Sequence, residues 1–156
     1  MKAAVIMGSR SDLPVVEKVW QMLERFGIEY EVRVLSAHRT PDEALAYARA
    51  AEENGVDLLI AAAGKAAHLP GVLAAVTILP VIGLPVKSST MDGLDSLLSM
   101  VQMPSGVPVA TVAINGAENA GILAAEILSL KYPELKPRLQ AFKAEMREKV
   151  LKDSYL

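Results

Sequence analysis

Apolar runs that alternate with amphipathic stretches predict an α/β protein: a doubly wound, parallel, five-stranded sheet in a single domain, with one extra helix at its C-terminal end. Three observations carry this expectation. Five runs of strand length are spread along 156 residues, and each is followed by a stretch that reads as a helix. The joints are short and rich in Gly, Pro, Ser and Asp, so helical crossovers must link neighbouring strands, which favours right-handed parallel pairing. The length suits one domain, residues 1–156, with a core large enough to be stable alone.

Ala3 to Met7 is apolar throughout, as a strand buried on both faces should be. Gly8-Ser9-Arg10-Ser11-Asp12 turns the chain into a helix over Leu13 to Phe26, whose apolar face holds Val15, Val16, Val19, Trp20, Leu23 and Phe26, and Gly27 caps it. Glu29 to Leu35 alternates polar with apolar residues and reads as a strand near the sheet edge with one face less buried. Thr40-Pro41-Asp42-Glu43 predicts a capping box and an N-terminal proline for the second helix, which runs to Asn54-Gly55.

Asp57 to Ala63 is the third strand, and a short helix over Gly71 to Thr77 follows it. Val81 to Val86 is the fourth strand, Lys87 to Asp92 a polar loop and Leu94 to Val101 a short helix. The fifth strand is expected over Val109 to Ile114 and its helix over Ala117 to Leu130. Five such units suit a flavodoxin-like strand order, in which ligands bind beyond the carboxyl ends of the strands. A last amphipathic helix, within 133–152, carries Leu135, Leu139, Phe142, Met146 and Val150 as a stripe. That stripe either packs on the parent domain or braces a neighbouring subunit, and Pro137 must fall in its first turn or kink it.

Composition narrows the function. A net charge of −2, with both signs scattered, provides no basic stripe for nucleic acid and no polybasic membrane anchor. The absence of cysteine excludes a disulfide framework, a thiolate metal site and a thiol nucleophile. The apolar start before Gly8 is too short for a signal-peptide core, and no run nears the ~18 residues of a membrane span. A soluble, cytoplasmic protein acting on a small molecule is the expectation. The 52 % hydrophobic share is high for a domain of this size, which implies apolar surface reserved for partner subunits.

Only two histidines are present, and both lie in loops expected at carboxyl ends of strands: His38 in Ser36-Ala37-His38-Arg39-Thr40-Pro41, and His68 in Gly64-Lys65-Ala66-Ala67-His68-Leu69-Pro70-Gly71. Imidazole is the side chain suited to proton transfer near neutral pH, although a loop histidine also serves structure. Ser11 and Asp12 either cap a helix or, with Ser9, form an anion site at its N-terminus. Arg39 either joins a surface salt bridge or clamps a phosphate bidentately. The two histidines stand far apart in sequence with no carboxylate triad, which disfavours a metal site. Walker and Gly-x-Ser-x-Gly motifs are absent from the sequence. Ala62-Ala63-Gly64 lacks the acidic residue of a phosphoreceiver, and the histidine and serine loops lack the aromatic rings a flavin module needs.

Taken together, Gly8-Ser9-x-Ser11-Asp12, Ser36 to Pro41, Ala66 to Gly71 and Asp95-Ser96-Leu97-Leu98-Ser99-Met100-Val101-Gln102-Met103-Pro104 closely resemble the class I N5-carboxyaminoimidazole ribonucleotide mutases of purine biosynthesis. Four motifs in order, covering nearly the whole chain, make the likeness specific. It implies an isomerase that moves a carboxyl group from the exocyclic nitrogen to C4 of an aminoimidazole ribonucleotide, without metal, ATP or organic cofactor. It also implies His38 as the proton shuttle, Ser11 and Arg39 as phosphate ligands, and Asp12 on the ribose hydroxyls. Ser9 and Ser36 line the base, and Gly64, Lys65, Ala66, Ala67, His68 and Leu69 close over the imidazole and its carboxylate. A homo-octamer whose C-terminal helices reach across subunits is implied as well.

Lys65 departs from the pattern, since that family most often has glycine there. Two rival functions stay open. One is the class II reaction, direct carboxylation of aminoimidazole ribonucleotide, which usually goes with a different loop at 66–71. The other is a non-catalytic ribonucleotide-binding module, for which Lys65 speaks.

Overall fold

The computed structural model describes residues 1–154; positions 155 and 156 of the expected domain lie outside that description. Five parallel strands, β1 (Lys2–Met7), β2 (Glu29–Val34), β3 (Leu58–Gly64), β4 (Val81–Val86) and β5 (Ala110–Thr111), form one sheet in the order β2-β1-β3-β4-β5. Six α-helices accompany them: α1 (Leu13–Phe26), α2 (Pro41–Ala50), α3 (Leu69–Ala74), α4 (Leu94–Val101), α5 (Ala117–Leu128) and α6 (Leu135–Lys152). The predicted doubly wound, flavodoxin-like architecture is the observed one.

The two faces of the sheet sort by strand alternation. Ala3, Val5 and Met7 of β1 join Leu58, Ile60 and Ala62 of β3 in a core closed by α1, α5 and the start of α6. Ala4 and Ile6 join Leu59, Ala61 and Ala63 against α2, α3 and Met100 of α4. Gly121 allows α1 and α5 to approach: a Cβ there would lie 2.6 Å from the Met22 Cβ and 2.9 Å from the Val19 carbonyl. Gly27 ends α1 in the left-handed region at φ 67°, with its N–H on Glu24 O and the Ile28 N–H on Leu23 O.

Several local expectations change, among them α3, which begins at Leu69 rather than Gly71 and ends at Ala74 rather than Thr77. The capping box of α2 does not form. Thr40 instead turns its hydroxyl onto the preceding loop, accepting the Ser36 N–H at 2.9 Å, while Pro41 takes the first helical position as expected. α2 stops at Ala50, four residues early, and turns carry the chain to Gly55 at φ 76°. β5 shrinks to Ala110–Thr111, an edge strand paired only with β4. β2 does lie at the other edge, but it is the apolar face that is left open: Tyr30 packs on the core and on Trp20, while Val32 and Val34 beyond it on the same face are exposed.

Pro137 falls in the first turn of α6. Leu135 and Leu139 are buried and Phe142 meets Phe26 edge-on at 5.6 Å, so the first half of this helix packs on its own domain. Its second half, with Met146, Val150 and Leu151, is exposed. Among the described residues, no helix is long and apolar enough to cross a membrane.

Candidate active site

Strands β1, β2, β3 and β4 all deliver their following loops to the same edge of the sheet, and those loops surround a cleft of ≈ 650 Å³. Such a volume suits a ligand of nucleotide size. The cleft spans the β1–β3 boundary, where the strand order reverses and where doubly wound sheets open a crevice. Gly8, directly after β1, closes this boundary from below by donating its N–H to Ala62 O at 3.1 Å.

Ser9, Ser11, Asp12, Ser36, His38, Arg39, Gly64, Lys65, Ala66 and Leu69 all line the cleft. Two anticipated site residues do not. Ala67 is fully buried in the α2–α3 core beneath the loop, and His68 reaches the site only through His38. Their rings meet edge-on, with His38 Nε2 2.9 Å from His68 Nδ1. One proton suffices for that bond, so the two tautomers are tied together: whichever ring donates, the other must accept.

The Ser9–Asp12 turn is a short 3-10 helix leading into α1. Ser9 caps it, accepting the Ser11 N–H at 3.3 Å and the Ser11 hydroxyl at 2.8 Å. Asp12 makes no side-chain cap to α1, although it occupies the capping position. Asp12 as a residue is only 9 % exposed, and its carboxylate has one long side-chain partner, Ser11 Oγ at 3.4 Å. Burial pushes the Asp12 carboxyl above its ordinary value, against the opposing pull of the Ser11 and Ser9 hydrogen bonds and the charge of Arg39. A buried carboxylate with so few donors is suited to accept hydrogen bonds from ligand hydroxyls.

Arg39 is held rather than spent. Its guanidinium donates to Gly8 O at 2.6 Å and its Nε–H to Ser36 Oγ at 3.3 Å, which bridges the first two loops. Ser36 Oγ also accepts the backbone N–H groups of His38 and Arg39, at 3.4 and 3.2 Å, and so shapes the His38 turn. Arg39 joins none of the ion pairs found among the described residues, which leaves guanidinium N–H groups for a ligand phosphate. Lys65 adopts φ 56°, the left-handed conformation that glycine takes most easily.

Lys87 and Ser88, which follow β4, also line the cleft and were read from sequence only as part of a polar loop. The signal that could have found them is positional: they begin the loop at the carboxyl end of the fourth strand, by the same rule that singled out the first three loops.

The family model for AIR carboxylase matches residues 2–149. A protein from Thermotoga maritima named N5-carboxyaminoimidazole ribonucleotide mutase is 59 % identical over 150 residues, covering 96 % of this chain and 88 % of that one. A protein of the same name from Pyrococcus abyssi is 59 % identical over 146 residues, or 94 % of this chain and 84 % of its own. Among solved structures, Treponema denticola PurE superposes with a TM-score of 0.87 at 32 % identity, covering 97 % of this chain and 95 % of that one.

Proposed function

This chain belongs to the AIR carboxylase family, and from that premise we propose that it converts N5-carboxyaminoimidazole ribonucleotide to 4-carboxyaminoimidazole ribonucleotide in de novo purine biosynthesis. The observation that carries the reading is the high identity, over nearly the full chain, to relatives named for that mutase. The cleft supports it by gathering a histidine, an unpaired arginine and a buried aspartate around a volume of nucleotide size.

The chemistry needs one proton used twice. His38 gives a proton to the exocyclic nitrogen as its bond to the carboxyl carbon breaks, which releases carbon dioxide and leaves aminoimidazole ribonucleotide. C4 of the imidazole then attacks the carbon dioxide, and His38 recovers a proton from C4 as the ring regains aromaticity. The net proton change is zero, so a single imidazole suffices. His68, bonded to His38 Nε2, orients that ring and couples the ring's tautomer to its own.

Arg39 and Ser11 hold the phosphate, Asp12 accepts hydrogen bonds from the ribose hydroxyls, and Ser9 and Ser36 flank the base. Gly64, Lys65, Ala66 and Leu69 cover the imidazole and its carboxylate, with Ala67 and His68 supporting that loop. Small side chains there keep carbon dioxide from bulk water until it is recaptured. The enzyme acts in the cytoplasm as a single-domain subunit of a homo-octamer. The exposed Met146 and Val150 of α6, Leu94, Leu98 and Val101 of α4, and Val32 and Val34 of β2 are apolar surface of the kind such an assembly covers. Light scattering on the purified protein gives the subunit count.

The deciding experiment is turnover of N5-carboxyaminoimidazole ribonucleotide without ATP, beside aminoimidazole ribonucleotide with bicarbonate. Rapid conversion of the first alone at low bicarbonate is the expected result. Preference for the second pair would make the protein a direct carboxylase, and binding without turnover of either would make it a ribonucleotide-binding module.

A further inference from the structure

Lys87 is a cleft residue to which the scheme above assigns no task. It follows the last residue of β4, lines the cleft, and pairs its ammonium with Asp92 Oδ1 at 3.0 Å while its side chain stays 54 % exposed. Its backbone is held tightly. The Lys87 N–H donates to Asn115 Oδ1 at 2.8 Å, and the Asn115 N–H donates to Pro85 O at 2.8 Å. Gly93 passes so close that a Cβ on it would lie 3.0 Å from the Lys87 Cα.

Asn115, Asp92 and Gly93 all adopt positive φ, at 57°, 56° and 95°. Non-glycine residues stay in that region only where surrounding structure overdetermines them, and they cluster at sites that must hold a shape. Ser88 completes the arrangement, with its hydroxyl 3.1 Å from Asp95 Oδ2 and accepting the Thr90 N–H at 3.2 Å. The loop after β4 is therefore built to hold Lys87 at the cleft wall.

The loops succeed one another around the cleft as their strands do in the sheet, β2, β1, β3, β4. The loop after β2 is shared out between them: Arg39 turns to Gly8 O after β1, His38 reaches His68 of the loop after β3, and Lys65 and Lys87 follow β3 and β4, so Lys87 lies on the far side of His38 from Arg39. The nucleotide of the proposed reaction has the same polarity, with a phosphate at one end and a carboxylate on the imidazole at the other. Once decarboxylated it keeps only the phosphate.

We propose that Lys87 is a specificity-determining residue that exchanges Asp92 for the imidazole-borne carboxylate of substrate and product, so that the cleft tells carboxylated from decarboxylated nucleotide. The inference rests on the mutase reading of the cleft. Asp92 is exposed and is taken over by water when released. A cation at this end attracts both carboxylated species and not neutral carbon dioxide, so it acts on ground-state affinity rather than on the barrier.

The test uses the full chain in three forms, wild type, Lys87→Met and Asp92→Asn, and measures calorimetric binding of 4-carboxyaminoimidazole ribonucleotide and of aminoimidazole ribonucleotide. The Lys87→Met change is expected to weaken the carboxylated nucleotide about three- to tenfold and leave the decarboxylated one unchanged, with KM raised in proportion and kcat not lowered. Asp92→Asn is expected to keep or tighten binding of the carboxylated nucleotide. Equal weakening of both nucleotides by Lys87→Met would make Lys87 a phosphate contact and overturn the proposal, as would no effect on either, or equal losses from the two substitutions. Failure of the wild type to bind either nucleotide would overturn the mutase reading and this inference with it, an outcome distinct from all the others.

Discussion

Asp12 and Asp57 lie at opposite ends of the same sheet and have opposite surroundings. Asp57, just before β3, takes the Lys2 N–H at 2.9 Å, the Lys131 ammonium at 2.8 Å and the Tyr132 hydroxyl at 2.9 Å. Burial alone would raise its carboxyl, but those donors, Lys131 foremost, outweigh burial and hold it below the ordinary value. Asp12, past β1, has one long side-chain partner, and burial raises it. One end of the sheet therefore uses its carboxylate to tie β1, β3 and the segment after α5 together, and the other leaves a carboxylate short of donors. A group whose hydrogen bonds are complete has little left to bind a ligand, whereas a buried one with few and long hydrogen bonds lowers stability and keeps acceptor capacity for function.

If that division holds, substitutions at the carboxyl end change function with little loss of stability, and those at the amino end do the reverse. The largest effect is expected from His38→Asn. Turnover should drop by about 10²- to 10⁴-fold, the usual worth of a general acid–base, while nucleotide affinity and the melting temperature are kept. Steady-state rates beside calorimetry check this, and an unchanged rate would remove His38 from the mechanism.

Asp12→Asn comes next, with nucleotide affinity expected to fall about 10- to 100-fold, as for loss of hydrogen bonds to a charged group. Its stability effect has the opposite sign. Because burial raises this carboxyl, the native state binds its proton more readily than the unfolded chain, and stability falls as pH rises from the ordinary 3.8 through the native value. The Asn variant should therefore melt higher than wild type at neutral pH, and the gain should vanish well below pH 3.8. Thermal unfolding at a series of pH values measures it.

Asp57→Asn tests the other end. It should cost about 1–2 kcal/mol at neutral pH through weakened charge-assisted hydrogen bonds and leave turnover intact. The lowered Asp57 carboxyl supplies stability that is fully present above 3.8 and is lost as pH falls through its native value. Denaturant titrations of variant and wild type should therefore converge only in acid. A fall in kcat for this variant would break the comparison.

The smallest effect is expected at Lys65, in the left-handed region at φ 56°. Lys65→Gly should relieve that conformation and raise stability by about 0.5–1 kcal/mol after the entropy cost of glycine, as read by the urea midpoint. A loss of stability would mean that the Lys65 side chain makes a stabilising contact of its own.

Much of the molecule follows from local chemistry that the sequence states outright. The alternation of apolar runs and helical faces specifies the layers, because burial on both sides of a strand and on one side of a helix leaves its mark on consecutive residues. β4 and α4 fall at Val81–Val86 and Leu94–Val101, as their boundaries indicate. The candidate site was legible for a related reason: parallel strands all end at one edge of the sheet, so the loops that hold Ser9, Asp12, His38, Arg39 and Lys65 had to gather there.

What only the tertiary structure decided are contacts between residues distant in sequence. The bond from His38 to His68 spans two loops, and nothing near either residue encodes it. The exposure of Val32 and Val34 depends on β2 being at the sheet edge with too little packed against it. The sorting of Ala67 into the core and Lys87 into the cleft, and the division of α6 into a packed and an exposed half, have the same origin. Periodicity reports which side of an element is apolar, but which neighbour covers that side, and how far along it reaches, is settled only when the elements pack.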